Sequence, residues 1–290
     1  MPAPGVVDID GELFAPADAK ISVFDRGFLY GDSAFEVMRT YGKRPFRQRD
    51  HLLRLTRSCE RLRIALPIPL SEIERRIARA IDHSGAPECN VRVVVTRGIG
   101  PMGLDLTLAR GPSVVVYALA LATPDASVYR DGVAVYLVRT QRSTDGSPAA
   151  GAKSSNYLAS MLALDDARRH GAHEAIIVDG SGNVVEGTTS NVFALRGGAL
   201  YTPPAAAGIL EGITRRTVIE LAAERGLPCL QDLLHPEDLC SADEVFITSS
   251  VREIVPVVRV DETCIGGGKP GPITLELLPA YRRRTGVPDT

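Results

Sequence analysis

The chain has 290 residues, 44% of them hydrophobic and 23% charged, with a formal net charge of −2. That balance is ordinary for a chain that buries a full core and predicts about two domains. It gives no electrostatic case for nucleic acid or an anionic membrane surface, and the absence of Trp removes the usual stacking platform for bases. No apolar run is long enough for a membrane span, and the N-terminal residues lack the pattern of a secretory leader, so a cytoplasmic location is expected. The five cysteines are odd in number, widely spaced and without a Cys-x-x-Cys pair. They are read as small buried hydrophobes, not as disulfides or a zinc site, and no metal is expected.

In chain order, "VVDIDGELFA" predicts a hairpin around Asp10-Gly11, and "AFEVMRTYGKRPFR" a second around Gly42. "DHLLRLTRSCERLRI" predicts a helix capped by Asp50. "SEIERRIARAIDHSG" predicts another, with Ser71 and Glu74 as a capping box and Gly85 as the stop. Strands follow at 91–97 and 113–121. The Pro-, Asp-, Ser- and Gly-containing stretch 122–132 reads as a linker between a small α+β domain, 1–121, and a larger C-terminal domain, 133–290. The second half alternates strands at 133–138, 174–178, 192–195, 244–247 and 254–260 with helices at 157–170, 213–225 and 274–284. His170 and His173 flank Gly171 at a helix end, where imidazolium suits the dipole better than a metal.

Only four of the 33 basic residues are lysine, and Lys153 in "GSPAAGAKSSNYLASM" is the one in mid-chain. Arginine stays protonated in proteins, whereas a lysine amine can attack a carbonyl and form a Schiff base, so Lys153 is a candidate nucleophile. A phosphate-binding loop G-x-x-x-x-G-K-[ST] is excluded because Ala152 separates Gly151 from Lys153, and because Arg142 to Pro148 is a polar loop, not the end of a buried strand. The other mechanism that puts a lysine at such a place is a Schiff base to pyridoxal phosphate, which needs a lysine for its aldehyde, an acid at its ring nitrogen and binders for its phosphate. "NVVEGTTSNVF" offers Glu186 as the acid. "GILEGITRRTVIE" offers a helix opening at Gly212, with the amides of Ile213 and Thr214 and the Thr214 hydroxyl. "VFITSS" offers Ser249 and Ser250 at a strand end.

Lys153 with Asn156-Tyr157, then "EGTTSN", "GITR", "VFITSS" and "IGGGKPGPIT", preceded by "DRGFLYGDSAFEVMRTY" and "HLLRL", resembles the class IV aminotransferases, the fold-type IV pyridoxal-phosphate enzymes, over nearly the whole chain. The resemblance implies a mixed α/β (α+β) two-domain fold of the D-amino-acid-aminotransferase type and a homodimer with the cofactor in the cleft between domains. It further implies transfer of an amino group between amino acids and 2-oxo acids. It makes Lys153 the Schiff-base lysine and proton shuttle, and Glu186 the ring-nitrogen partner. Arg54, Ile213, Thr214 and Ser250 fall on the phosphate, with Ser249 beside them, Tyr157 on the phenolate oxygen and Leu210 against the ring.

Substrate signals are mixed. Tyr30, Arg39 and Tyr157 resemble the branched-chain L-enzymes, but Val37 stands where those usually carry glycine, and Asn90 near their substrate-contacting tyrosine. The Lys153 to Asn156 spacing resembles the D-specific enzymes and the aminodeoxychorismate lyases, yet Met102 and Leu104 occupy the places of the D-specific Arg-x-His carboxylate trap. A substrate carboxylate needs a cation, for which Arg26 and Arg92 are candidates, with Phe35, Val37 and Val251 as further pocket residues. The reading leans to D-amino acids with a broad range. L-branched-chain transamination, the lyase reaction and an inactive dimeric scaffold are the alternatives.

Overall fold

The computed structural model describes residues 3–140 and 146–286. The first part of the Arg142 to Pro148 loop thus lies outside the described residues. The chain forms two units. One comprises the residues up to Ala122 together with Ala152–Asn156, and the other comprises Thr123–Gly151 and everything from Tyr157 on. The five residues around Lys153 therefore belong to the N-terminal unit, although the sequence places them within the C-terminal half.

The N-terminal unit runs β1 (Gly5–Ile9), β2 (Glu12–Phe14), α1 (Arg26–Tyr30), β3 (Ser33–Tyr41), β4 (Arg44–Pro45), α2 (Gln48–Arg61), α3 (Leu70–His83), β5 (Cys89–Thr96) and β6 (Ser113–Ala120). Its six strands form an antiparallel sheet in the order β2-β1-β6-β5-β3-β4. Both hairpins turn through two positive-φ residues, Asp10-Gly11 and Gly42-Lys43, and Gly and Asp adopt that conformation at least cost. Successive strand residues point to opposite faces. Val91, Val93 and Val95 accordingly pack with Ala34, Met38, Leu52, Leu55, Ile73 and Ile77 into the core under α2 and α3. The other parity, Phe35, Val37 and Arg39 of β3 with Asn90 and Arg92 of β5, occupies the opposite face, where Val37 pairs with Arg92 and Arg39 with Asn90.

Two helix starts differ from the sequence reading. Arg47, not Asp50, is the N-cap of α2, because the turn out of β4 ends there at φ 50°. Asp50 sits in the first turn, where its charge still suits the helix N-terminus, 3.7 Å from Arg47. Pro69, with φ preset near −65°, caps α3, so Ser71 lies inside the helix and no capping box forms.

The second unit runs α4 (Ala126–Arg130), β7 (Val133–Arg139), α5 (Leu158–Arg169), β8 (Glu174–Val178), β9 (Val184–Gly187), β10 (Asn191–Arg196), β11 (Ala199–Thr202), α6 (Ile213–Glu224), β12 (Cys229–Gln231), α7 (Pro236–Cys240), β13 (Glu244–Ser249), β14 (Glu253–Val260), β15 (Thr263–Cys264) and α8 (Pro272–Thr285). The stretch read as a linker thus contains α4, capped by Asp125. The strands form a mixed sheet in the order β12-β11-β10-β13-β14-β7-β8-β9, with β15 beside β14. Val192, Val245, Ile247 and Val255 fall on its core face with Val135 and Ile176. The other parity of β10 and β13 carries Asn191, Phe193, Phe246 and Thr248, and the two phenyl rings stack at 4.9 Å. α6 and α8 pack against β13. Of the cysteines, Cys59 and Cys89 are buried as expected, but Cys229 and Cys240 are half-buried and Cys264 is exposed on the short edge strand β15. No helix among the described residues is long and apolar enough to cross a membrane.

Candidate active site

Within the N-terminal unit, Lys153 is fixed through its backbone. Its N–H donates to the Ser58 hydroxyl of α2 at 3.1 Å, and its carbonyl accepts from the Phe35 N–H of β3 at 2.9 Å. Ser154 bridges Ala34, Ser155 N–H donates to the Ser33 carbonyl, and the Ser33 and Ser155 hydroxyls lie 2.6 Å apart. The stretch is in effect a further short strand beside β3. Gly31, at φ 67°, leaves the space in which the Asn156 amide sits, and a Cβ there would collide with it. So held, the Lys153 amine stands 4.6 Å from the centroid of Phe35, whose ring also has the Arg92 guanidinium 4.0 Å away. These are cation–π distances, and they place two cations and an apolar wall on one sheet face.

On the core side of β3 lies a buried charge cluster that the sequence reading missed. Glu36 is fully buried, and Arg54 donates to it from Nε (2.7 Å) and Nη2 (2.8 Å), while His51 Nδ1 lies 2.8 Å from Oε2. Burial alone would raise the Glu36 carboxyl, but the Arg54 charge, its hydrogen bonds and those of His51 hold it down at about 2. Burial pushes the His51 imidazole below its ordinary value, Glu36 pulls the other way, and the charges of Arg54 and Lys153 add to the depression. Lys153 is therefore within electrostatic reach of the cluster. A usable signal was present: Glu36 has the buried parity of β3, where a carboxylate needs a partner, and His51 and Arg54 share a helix face by i,i+3 spacing.

Of the other residues singled out on this unit, Arg26 is 2% exposed, with Nε on Asp32 (3.2 Å) and Nη1 on the Gly103 carbonyl (2.9 Å). The Tyr30 hydroxyl accepts from Gly103 N–H at 3.0 Å. Both tie down the 99–106 loop, whose neighbouring Met102 and Leu104 are 72% and 85% exposed. Arg97, not singled out from sequence, grips Asp32 by two bonds of 2.7 and 2.9 Å. Arg39 stacks 4.7 Å from the Tyr41 ring, and Val37 is half-buried between Arg39 and Phe35 along the face.

The second unit gathers a different set. Glu186, at the end of β9, accepts at one oxygen, Oε2, from the Leu210 N–H (3.0 Å) and from Asn191 Nδ2 (3.3 Å), and the same Nδ2 donates to the Leu210 carbonyl at 2.8 Å. Gly212 is the N-cap of the twelve-residue α6, with no side-chain cap, so the first-turn amides of Ile213 and Thr214 head the positive end of the helix. Thr214 is buried, its hydroxyl 3.5 Å from that of Tyr281. Ser249 closes β13 and accepts from Arg252, Ser250 and Val251 follow half-buried in the turn, and Glu253 behind them, at φ 61°, accepts from Arg282. Tyr157 is the half-buried N-cap of α5. On the first unit Lys153, Phe35 and Arg92 meet on one face of the sheet while Arg54 lies on its core side, and on the second Glu186 meets the Leu210 backbone, with Ile213 and Thr214 opening the helix that follows.

Each unit thus carries groups that a cofactor with an aldehyde, a ring nitrogen and a phosphate calls for: a lysine amine on the first, and on the second a carboxylate that accepts two N–H bonds and the N-terminus of α6. A model of the amino-transferase class IV family matches residues 33–260. A putative branched-chain-amino-acid aminotransferase of Methanocaldococcus jannaschii is 37% identical over 274 residues, 94% of each chain. The D-alanine aminotransferase of Bacillus licheniformis is 31% identical over 273 residues, again 94% of each. Among solved structures, the branched-chain amino acid aminotransferase of Escherichia coli superimposes with a TM-score of 0.90 at 31% identity, covering 99% of this chain and 97% of that one. The chain belongs to the amino-transferase class IV family, fold-type IV enzymes that use pyridoxal 5′-phosphate to move an amino group between amino acids and 2-oxo acids.

Proposed function

We propose that this transaminase acts on α-amino acids with apolar side chains, with L-branched-chain amino acids as donors and a 2-oxo acid as acceptor. The sequence reading leans to D-amino acids. Two considerations support the L reading: the branched-chain relatives, and the exposure of Met102 and Leu104, which supply no cation where a D-specific carboxylate trap would need one. The D-alanine relative at 31% identity keeps a D-amino-acid activity as the second reading.

The observation that carries the mechanism is the double backbone pinning of Lys153 between Ser58 and Phe35. It fixes where a flexible side chain starts, so that its amine can serve at one point in space. Bound pyridoxal 5′-phosphate supplies an aldehyde for amine exchange and a ring that accepts the electron pair left when an α-proton departs. Lys153 Nζ would hold the group at its aldehyde carbon, with loss of water, and as a free amine would hold and move the proton of the substrate α-carbon. Glu186 would serve the ring nitrogen, Ile213, Thr214, Ser249, Ser250 and Arg54 are the residues assigned to the phosphate, Leu210 would pack on the ring and Tyr157 would donate to the phenolate oxygen. Arg92, with Phe35, Val37, Arg39, Tyr30 and Val251 around the side chain, takes the substrate carboxylate, while Arg26 acts through the loop it tethers.

The fit is supported by an orphaned donor: the buried Thr248 hydroxyl, across β10–β13 from Asn191, has no hydrogen-bond partner among the described residues. The exposure of the large apolar side chains Phe28, Met102 and Leu104 on the N-terminal unit supports a homodimer, because such side chains are commonly covered by a partner. The deciding experiment mixes the cofactor-loaded protein separately with L-leucine and D-alanine and follows the visible absorption band. Bleaching by L-leucine is expected, and bleaching by D-alanine alone would reverse the hand.

A further inference from the structure

Asn191 is 5% exposed, on the face of the second unit's sheet that carries Phe193, Phe246 and Thr248. Its amide nitrogen meets both Glu186 Oε2 and the Leu210 carbonyl, while the Leu210 N–H meets that same Oε2. Its amide oxygen occupies the space that a Cβ on Gly212 would fill, immediately before α6. One side chain therefore ties together the carboxylate at the end of β9, the backbone of Leu210 and the residue that opens α6. A carboxylate that accepts two N–H bonds at one oxygen is held in one orientation and in its ionised form.

We propose that Asn191 is a positioning residue for the reaction: it orients Glu186 and keeps it ionised toward the cofactor's ring nitrogen. The inference rests on the role given to Glu186 above. An aspartate at 191 would have nearly the same shape but would exchange the donor for a second anion beside Glu186. An alanine would remove the donor and leave a void next to Gly212. Gly212 belongs to the same device, since any larger residue there drives the amide off the carboxylate.

The test is a double-mutant cycle between Asn191→Asp (with Asn191→Ala as a second variant) and Glu186→Gln. It is read on two quantities: the affinity of the apo protein for pyridoxal 5′-phosphate, from direct titration, and the single-turnover rate with the amino donor. Each single variant is expected to weaken cofactor binding or slow the half-reaction by about tenfold or more. In the Glu186→Gln background the Asn191 substitution should add little, because the carboxylate it served is gone. Equal losses from Asn191→Asp in both backgrounds would overturn the proposal and leave Asn191 a packing residue. Wild-type behaviour of Asn191→Asp beside a slow Glu186→Gln would overturn it too, while leaving Glu186 its role. Wild-type behaviour of Glu186→Gln itself would instead remove the reading of Glu186 on which the proposal stands. If Asn191→Ala does not fold, the isosteric aspartate variant decides.

Discussion

Arg54 grips Glu36 with two parallel hydrogen bonds, 2.7 and 2.8 Å, across the buried gap between α2 and β3. The pair sets the position of the guanidinium proposed for the phosphate, and neither partner can be removed without stranding the other's charge. Glu36→Gln is expected to cost about 3 to 5 kcal/mol of stability, the penalty of breaking a buried pair by removing one member. Urea denaturation at neutral pH measures it. A loss well under 1 kcal/mol would show that the pair is already hydrated.

The same cluster sets an acid limit. Glu36 has a folded value of about 2, below its unfolded one, so its contribution is complete above the unfolded value and disappears as pH falls through about 2. His51, buried and depressed, works in the same direction: the unfolded chain takes up the proton first, and stability drops as pH falls below the usual histidine range. Unfolding free energy should therefore decline from about pH 6.5 downward and fall more steeply below about pH 4.5, by on the order of 3 kcal/mol for Glu36 alone. His51→Gln should flatten the first part of that decline. An unchanged profile would refute the assignment.

Lys153→Ala should keep the fold, because the residue is anchored by its backbone, and lose all turnover. Ser58→Ala should do something different. It removes the acceptor of the Lys153 N–H and should cost about 1 to 3 kcal/mol while slowing the half-reaction without abolishing it. Rapid-mixing absorbance and thermal melts separate the two effects.

Arg92→Gln tests the carboxylate assignment. KM for the 2-oxo acid should rise about tenfold or more with little change in melting temperature, because the lost bond is charge-assisted and its stem is only half-buried. Unchanged steady-state constants would move the assignment to Arg39 or to another cation of that sheet face.

Much of this was legible from residue types. The hairpins at Asp10-Gly11 and Gly42, the helices behind "HLLRL" and "GITR", and Glu186 at a strand end all follow local rules of turn chemistry and periodicity. What local rules could not give was competition between neighbours. Asp50 was a better N-cap by type, but the β4 turn ended at Arg47; Ser71 was in register for a capping box, but Pro69 had already started the helix. Arg26 shows the same limit at the site. A lone arginine near a pocket reads as a substrate cation, and only the fold reveals that Asp32 and Gly103 hold it. The cluster of Glu36, His51 and Arg54, and the reach of Asn191 to both Glu186 and Gly212, depend on pairings between distant strands and helices that spacing does not specify.

The placement of Ala152–Asn156 has a consequence for ancestry. Those five residues complete the hydrogen bonding of β3, through Phe35 and Ser33, yet in the gene they lie about thirty codons beyond the rest of their unit. A truncated copy ending at Ala122 would lose Lys153, the lysine proposed to react, together with a backbone partner of β3. A shuffled copy of the small unit that stopped at Ala122 would inherit an incomplete sheet, so descent of this unit is tied to descent of the segment that carries Lys153.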